Sequence, residues 1–276
     1  MNYNICLIRP DGYIHSDAFV ELAQLIGHGL EDLGHSVAIS ANDFFLGATN
    51  IIIGCHLMDA AMIGQVPKRS IVINTEQISD DETAWNSDIF KWTASFETWD
   101  YSEKNVSRLH RMGAGNTKLL RLGFHPKLAR IPKAGRQDID VLFYGSMGER
   151  REKVIAGLKA AGCNTHAVFG IYGAERDKLI ARSKVVLNMH HYNSRIFEIV
   201  RVFYLLTNSK AVVGEVSENT EIDPRYVEGI FRSPYEDLVK SCKLVVEDDQ
   251  LRAELESKAL KAIQAHRQSE FLRPLL

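Results

Sequence analysis

Short β-branched apolar runs alternate with amphipathic helical stretches along almost the whole chain, and this alternation constrains the fold most. "YNICLIRP" reads as a first strand. "SDAFVELAQLIGHGLEDLGH" follows, with Phe19, Leu22, Leu25, Ile26, Leu30 and Leu33 near helical spacing; Ser16 or Asp17 can cap its start and Gly34 can end it. "SVAIS", "NIIIGCH" and "RSIVINTEQ" are strand-like. A strand near Ala94–Phe96, a helix from about Ser102 and a short strand in "KLLRLGF" complete the first half. "HPKLARIPKAGRQDID" carries two prolines, a glycine and dense charge, and reads as a linker at about 125–138. The alternation then restarts, with strands in "IDVLFYGS", "NTHAVFG", "KVVLNM", "AVVGE" and "GIFRSP" and helices between and after them. Parallel strands need crossover connections, so β-α-β repetition implies parallel sheets covered by helices on both faces. Two such sets make an α/β chain of two Rossmann-like domains facing across a cleft. The expected bounds are 1–125 and 126–276, with the final helix able to pack back on the first domain. Ligands of such sheets sit at the carboxyl ends of strands, which nominates the loops after "CLIRP", "FYGS" and "VVLNMHH".

The 276 residues suffice for two domains of about 120–150 residues each. A formal net charge of −2 and the lack of a dense basic tract argue against a nucleic-acid partner. Cys6, Cys55, Cys163 and Cys242 are scattered without a C-x-x-C pair, as expected of buried thiols in a reducing compartment. "MNYNICLIRPDG" lacks the pattern of a signal peptide, and no apolar run reaches the length of a transmembrane segment. A cytoplasmic location is expected; peripheral membrane contact stays open.

Four stretches carry a resemblance: "GYIHSDAFVELAQLIGHGLEDLGHSV", "WDYSEKNV" with "LRLGFHP", "DVLFYGSMGERREKVIAGL" and "LNMHHYNSRIFEIVRVFYLLTNSKAVVGE". In order and spacing they resemble GT-B glycosyltransferases, especially the bacterial CgeB-like and group 1 enzymes. The resemblance implies a hexosyl-type transferase with an acceptor-binding first domain and a nucleotide-sugar-binding second domain. A nucleotide-diphosphate sugar would be the co-substrate, with no further cofactor, and the acceptor would be a glycan, protein or small molecule. Retaining members carry E-x7-E, whose second Glu contacts the donor ribose. Glu198 takes that second place, but His190 stands eight residues earlier instead of a carboxylate. Retaining stereochemistry is therefore not implied. A sugar-nucleotide epimerase and a degenerate sugar- or partner-binding module share the fold.

The candidate donor residues fall in two loops. In "GSMGERR", Gly145 and Gly148 allow close backbone approach, Ser146 can donate a hydrogen bond, and Arg150 or Arg151 can pair with phosphate. Cations in a first helical turn oppose the macrodipole, which favours a nearby anion. In "HHYNSRIFE", Asn193 or Ser194 can cap a helix, His190 can bond phosphate or sugar hydroxyls, and Tyr192 can stack on a base or sugar. Glu198 has the two oxygens that clamp a ribose diol, and Arg195 is a further candidate for donor contact; Arg195, Glu198 and Arg201 also fit a helical ion-pair ladder. On the first domain His15 is the candidate base, with Asp11 and Asp17 as alternatives or orienters. No metal site is expected. "DID" at Asp138–Asp140 opens a strand, His56, His110 and His125 lack ligand spacing, and "GAGN" at Gly113–Asn116 reads as a turn.

Overall fold

The computed structural model of the chain describes residues 1–78, 84–191 and 196–276; for 84–86 it describes the backbone alone. Two compact units form. The first comprises Met1–Gly123 with Arg267–Leu276, and the second comprises Phe124–His266.

The first unit holds strands β1 (Asn2–Leu7), β2 (Ser36–Ala41), β3 (Thr49–Ile53), β4 (Ser70–Asn74), β5 (Glu97–Asp100) and β6 (Thr117–Leu119). They pair in parallel in the order β2-β1-β3-β4-β5-β6. Helices α1 (Val20–Asp32), α2 (Ala84–Ser95) and α3 (Glu103–Met112) supply crossovers. β3 and β4 are buried at every residue, as central strands covered on both faces must be; the edge strand β2 is exposed or half-buried throughout.

In the second unit, strands β7 (Ile139–Tyr144), β8 (Thr165–Val168), β9 (Ser183–Asn188), β10 (Val212–Glu215) and β11 (Phe231–Ser233) pair in the order β11-β10-β9-β7-β8, again in parallel. Helices α4 (Glu149–Ala160), α5 (Gly173–Arg182), α6 (Ile199–Thr207), α7 (Pro224–Val227), α8 (Leu238–Glu247) and α9 (Asp249–Gln264) flank it. Val141, Phe143, Leu158, Val185, Leu187, Val213, Leu238 and Val245 form one buried cluster between sheet and helices. The last helix, α10 (Gln268–Leu272), belongs to the first unit. It packs so closely on α1 that a Cβ on Gly29 would lie 2.8 Å from Leu272 Cδ1.

Several local expectations change. α1 starts at Val20, after a 3-10 turn at Ile14–Phe19. Neither Ser16 nor Asp17 caps it: the buried Ser16 hydroxyl donates to Ile8 O (2.7 Å), and Asp17 pairs with Arg9 (2.9 Å). Gly34 does follow the helix end, with φ +82°. α2 runs through Ser95, so the strand placed near Ala94–Phe96 begins instead at Glu97. In "KLLRLGF" only Lys118 and Leu119 belong to the ladder of β6. The stretch read as a linker is partly packed: Leu128 and Ile131 are buried, and Asn208 Oδ1 accepts from the Arg130 and Ile131 amides at 2.8 Å. Helix α6 begins only at Ile199, with Glu198 as its N-cap residue, so Glu198 does not sit inside a helical ladder. Ile196 pairs with Glu221 in an isolated bridge. The proposed caps Asn193 and Ser194, and the candidates Tyr192 and Arg195, lie outside the described residues.

Candidate functional site

Strand order locates the sites. In the second sheet β7 leads to β8 on one side and to β9 on the other, so the order reverses between β7 and β9. In open parallel sheets, ligands bind at such a reversal, outside the carboxyl ends of the strands. The loop after β7 carries Gly145, Ser146 and Gly148; the loop after β9 carries Met189, His190 and His191.

Arg151, in the first turn of α4, joins these two loops. It is 3 % exposed, and its guanidinium donates to Ser146 O (2.8 Å) and to Met189 O (2.7 Å). It also lies 5.2 Å over the Phe143 ring. Burial, and then the Arg201 charge, bring its pKa down to about 10. Arg201 sits in the first turn of α6. Its Nη1 donates to Asn188 Oδ1 at the end of β9 (3.0 Å), and its guanidinium lies 5.3 Å over the Tyr144 ring. Gly145 has φ +147°, and a Cβ there would lie 2.9 Å from Arg201 Nη2. Two guanidiniums therefore converge on one glycine loop, each in a first helical turn, where positive charge opposes the macrodipole.

Glu198 is half-buried, and its charge acts on Arg151, His190 and His191. His190 is buried; its ring faces Thr220 Oγ1 at 3.3 Å, and its amide donates to Glu215 Oε2 at 3.0 Å. Burial depresses the His190 pKa. Arg150 points to different partners. It pairs with the buried Glu215 carboxylate (2.6 Å) and lies 4.1 Å over the Tyr235 ring. Gly148 has an extended backbone and precedes α4 as its N-cap residue.

The geometry thus brings together Gly145, Ser146, Arg151, His190 and Glu198, engages Arg150 elsewhere, and adds Arg201 and Glu215. Arg201 was legible only as a ladder partner; its signal was a cation three residues beyond Glu198, at what proves to be a helix start.

In the first sheet the order reverses between β1 and β3. Asp11 lies on an exposed turn after β1. His15 is half-buried in the 3-10 turn, edge-on to Tyr13 with ring centroids 5.1 Å apart. The loops after β3 and β4 add His56 and Glu76, with Nε2 and Oε1 3.5 Å apart.

No protein-family model matches the chain. It is similar to the uncharacterized protein L140 of Acanthamoeba polyphaga mimivirus, 27 % identical over 233 residues, which is 81 % of this chain and 72 % of that protein. A second mimivirus protein, L138, is 32 % identical over 106 residues, 37 % of this chain and 12 % of its own length. Both relatives are viral, which does not support the bacterial origin that the motif resemblance implied. Among solved structures, Anabaena HepE in complex with UDP-glucose superposes with a TM-score of 0.64 at 12 % identity, covering 100 % of this chain and 99 % of that one. WaaG, a glycosyltransferase of lipopolysaccharide biosynthesis, does so with a TM-score of 0.60 at 11 % identity, covering 99 % and 98 %. The fold is that of GT-B glycosyltransferases, as the four stretches implied.

Proposed function

We propose that the chain is a glycosyltransferase of the CgeB-like or group 1 kind, transferring a hexose from a uridine-diphosphate sugar without a divalent metal. One observation carries the reading: Arg151 and Arg201 converge on Gly145 at the switch point of the second sheet, with Glu198 beside them. A diphosphate on the Gly145 loop would neutralise this like-charge pair. Arg201 would present its planar fork to phosphate oxygens, and Arg151 would hold the loop and add charge from behind. Glu198 would accept from the ribose hydroxyls, and His190 would line the sugar side. As the bond from the sugar's anomeric carbon to the diphosphate breaks, its electron pair stays on the leaving oxygen, where preorganised guanidiniums stabilise the growing charge. The solved neighbours that bind UDP or UDP-glucose support this choice of donor.

Metal independence rests on the only D-x-D string. Asp138 pairs with Arg182 (2.6 Å) and Asp140 with Lys184 (2.8 Å), at the amino end of β7, away from the carboxyl edge. On the acceptor side the loop after β1 offers His15 as base and Asp11 as orienter; Asp17 is already engaged by Arg9. A cytoplasmic site of action fits this donor chemistry, and among the described residues no helix is long and apolar enough to cross a membrane. The test is titration of UDP-glucose and UDP into the protein, followed by assay of sugar transfer. Release of an epimerised sugar without acceptor would transfer the assignment to the epimerase class. Binding without turnover on any acceptor would assign a binding module.

A further inference from the structure

We infer that Asn188 is the positioning residue of the diphosphate site: it fixes the Arg201 guanidinium with a neutral oxygen, so that the arginine is oriented without losing its charge to a protein carboxylate. Asn188 is fully buried and acts through Arg201, not on the substrate. The inference rests on the donor reading for the identity of the anion.

Asn188 closes β9 and lies beside Gly214 of β10 in the parallel ladder. A guanidinium only donates, so the Asn188 atom 3.0 Å from Arg201 Nη1 is the side-chain oxygen. This leaves the amide nitrogen Nδ2 buried with no hydrogen-bond partner among the described residues. A buried N–H without an acceptor costs stability. An aspartate of the same size has no N–H to strand and would offer the guanidinium a charged acceptor. Packing and hydrogen bonding alone therefore give no reason for the amide.

The neighbouring strand end shows the other solution. Glu215 closes β10 and holds Arg150 with a carboxylate at 2.6 Å. Arg182, Arg225 and Arg252 of the same unit are likewise paired with aspartates. Arg151 and Arg201 differ. Their hydrogen bonds among the described residues end on neutral oxygens, those of Ser146 and Met189 for Arg151 and Asn188 Oδ1 for Arg201. Both arginines border one point: a Cβ on Gly145 would lie 2.9 Å from Arg201 Nη2 and 3.7 Å from Arg151 Nη1. Glu198 sets one negative charge against these two positive ones. Neutral acceptors thus keep the strand reversal electropositive, as a leaving diphosphate requires. Because Asn188 holds Nη1 while Nη2 faces the glycine loop, the amide also sets the direction in which the fork is presented.

The test compares Asn188→Asp, Asn188→Ala and Arg201→Gln by calorimetry with UDP and with inorganic pyrophosphate, and by denaturant unfolding of the ligand-free proteins. Asn188→Asp keeps an acceptor for Arg201 but cancels its charge. It should unfold at a higher denaturant concentration than Asn188→Ala yet bind UDP more weakly, by about tenfold or more from wild type against about threefold. A residue that only held the fold would give the opposite, with affinity falling as stability falls. In the Arg201→Gln background Asn188→Asp should weaken UDP by less than about twofold further, because the charge it cancels is gone. Affinity that follows stability across the variants, wild-type UDP affinity in Asn188→Asp, or multiplied losses in the double variant would each overturn the inference. Should Asn188→Asp not fold, the same cycle with Asn188→Ala decides, since its loss must also vanish in Arg201→Gln. Pyrophosphate bound with the same ranking by a protein that ignores UDP would overturn the nucleotide reading and keep this inference. A protein that binds neither anion would overturn both.

Discussion

The Arg201 guanidinium occupies the space beside Gly145 that a side chain there would need: a Cβ on the glycine would lie 2.9 Å from Nη2 of the arginine. The glycine also holds φ +147°, which side chains rarely adopt. Gly145→Ala should therefore act twice. It should cost about 1–3 kcal/mol of folding stability from backbone strain. It should also displace the Arg201 fork and weaken UDP binding about tenfold. Denaturant unfolding and calorimetry on the same variant separate the two effects. Wild-type UDP affinity in a folded Gly145→Ala protein would remove Arg201 from the diphosphate site.

Arg150, which the sequence offered as a phosphate ligand, and Arg201, which it did not, should separate by phenotype. Arg201→Gln should weaken UDP about 10–100-fold, the scale of a charge-assisted hydrogen bond of about 1.5–3 kcal/mol. Arg150→Gln should change UDP affinity little, because Glu215 and Tyr235 already occupy that guanidinium. Its loss should appear in stability, since it leaves a buried carboxylate short of a partner. The reverse ranking in calorimetry would return the phosphate role to Arg150.

Glu198 stands at the N-cap of α6 but makes no side-chain cap bond there, so its carboxylate is not needed to start the helix. Glu198→Gln should leave a folded protein that binds UDP about tenfold more weakly. With 2′-deoxy-UDP the substitution should matter less, because the hydroxyl it serves is gone. Equal losses for both nucleotides would place Glu198 away from the ribose.

How far the sequence reached follows from which forces are local. Strand positions such as 49–53 and 70–74 were legible because their burial comes from continuous apolar runs. The two Rossmann-like units followed from crossover geometry, and the strand-end rule pointed to Gly145, Arg151, His190 and Glu198. What escaped depended on tertiary contacts. Ser16 looks like a cap but bonds Ile8 O, eight residues earlier in the chain. α6 starts late because Ile196 and Phe197 bond Glu221, a partner no periodicity announces. Arg150 and Arg151 are neighbours in sequence, and only the fold assigns one to Glu215 and the other to the loop carbonyls. His56 and Glu76 are 20 positions apart and come together because β3 and β4 are adjacent.

His56 supplies a pH test. Burial lowers its pKa from the usual 6.5 to about 4. Between those values the unfolded chain binds a proton that the folded chain refuses. The stability from a neutral His56 is therefore complete above pH 6.5 and is lost as pH falls toward 4. By pH 5 the loss should be about 2 kcal/mol. The buried His190 shifts in the same direction. In His56→Gln the fall in denaturant midpoint between pH 7 and pH 5 should be correspondingly smaller. An identical fall in both proteins would mean that His56 is not held neutral.

Calorimetric titration of UDP into the protein in the presence of EDTA tests the central claim most directly. The expected result is saturable binding at one site per chain, unchanged when EDTA is replaced by magnesium or manganese and weakened tenfold or more in Arg201→Gln. No binding by the folded wild-type protein, binding that appears only with the metal, or full affinity in Arg201→Gln would contradict a metal-independent diphosphate site at the Gly145 loop.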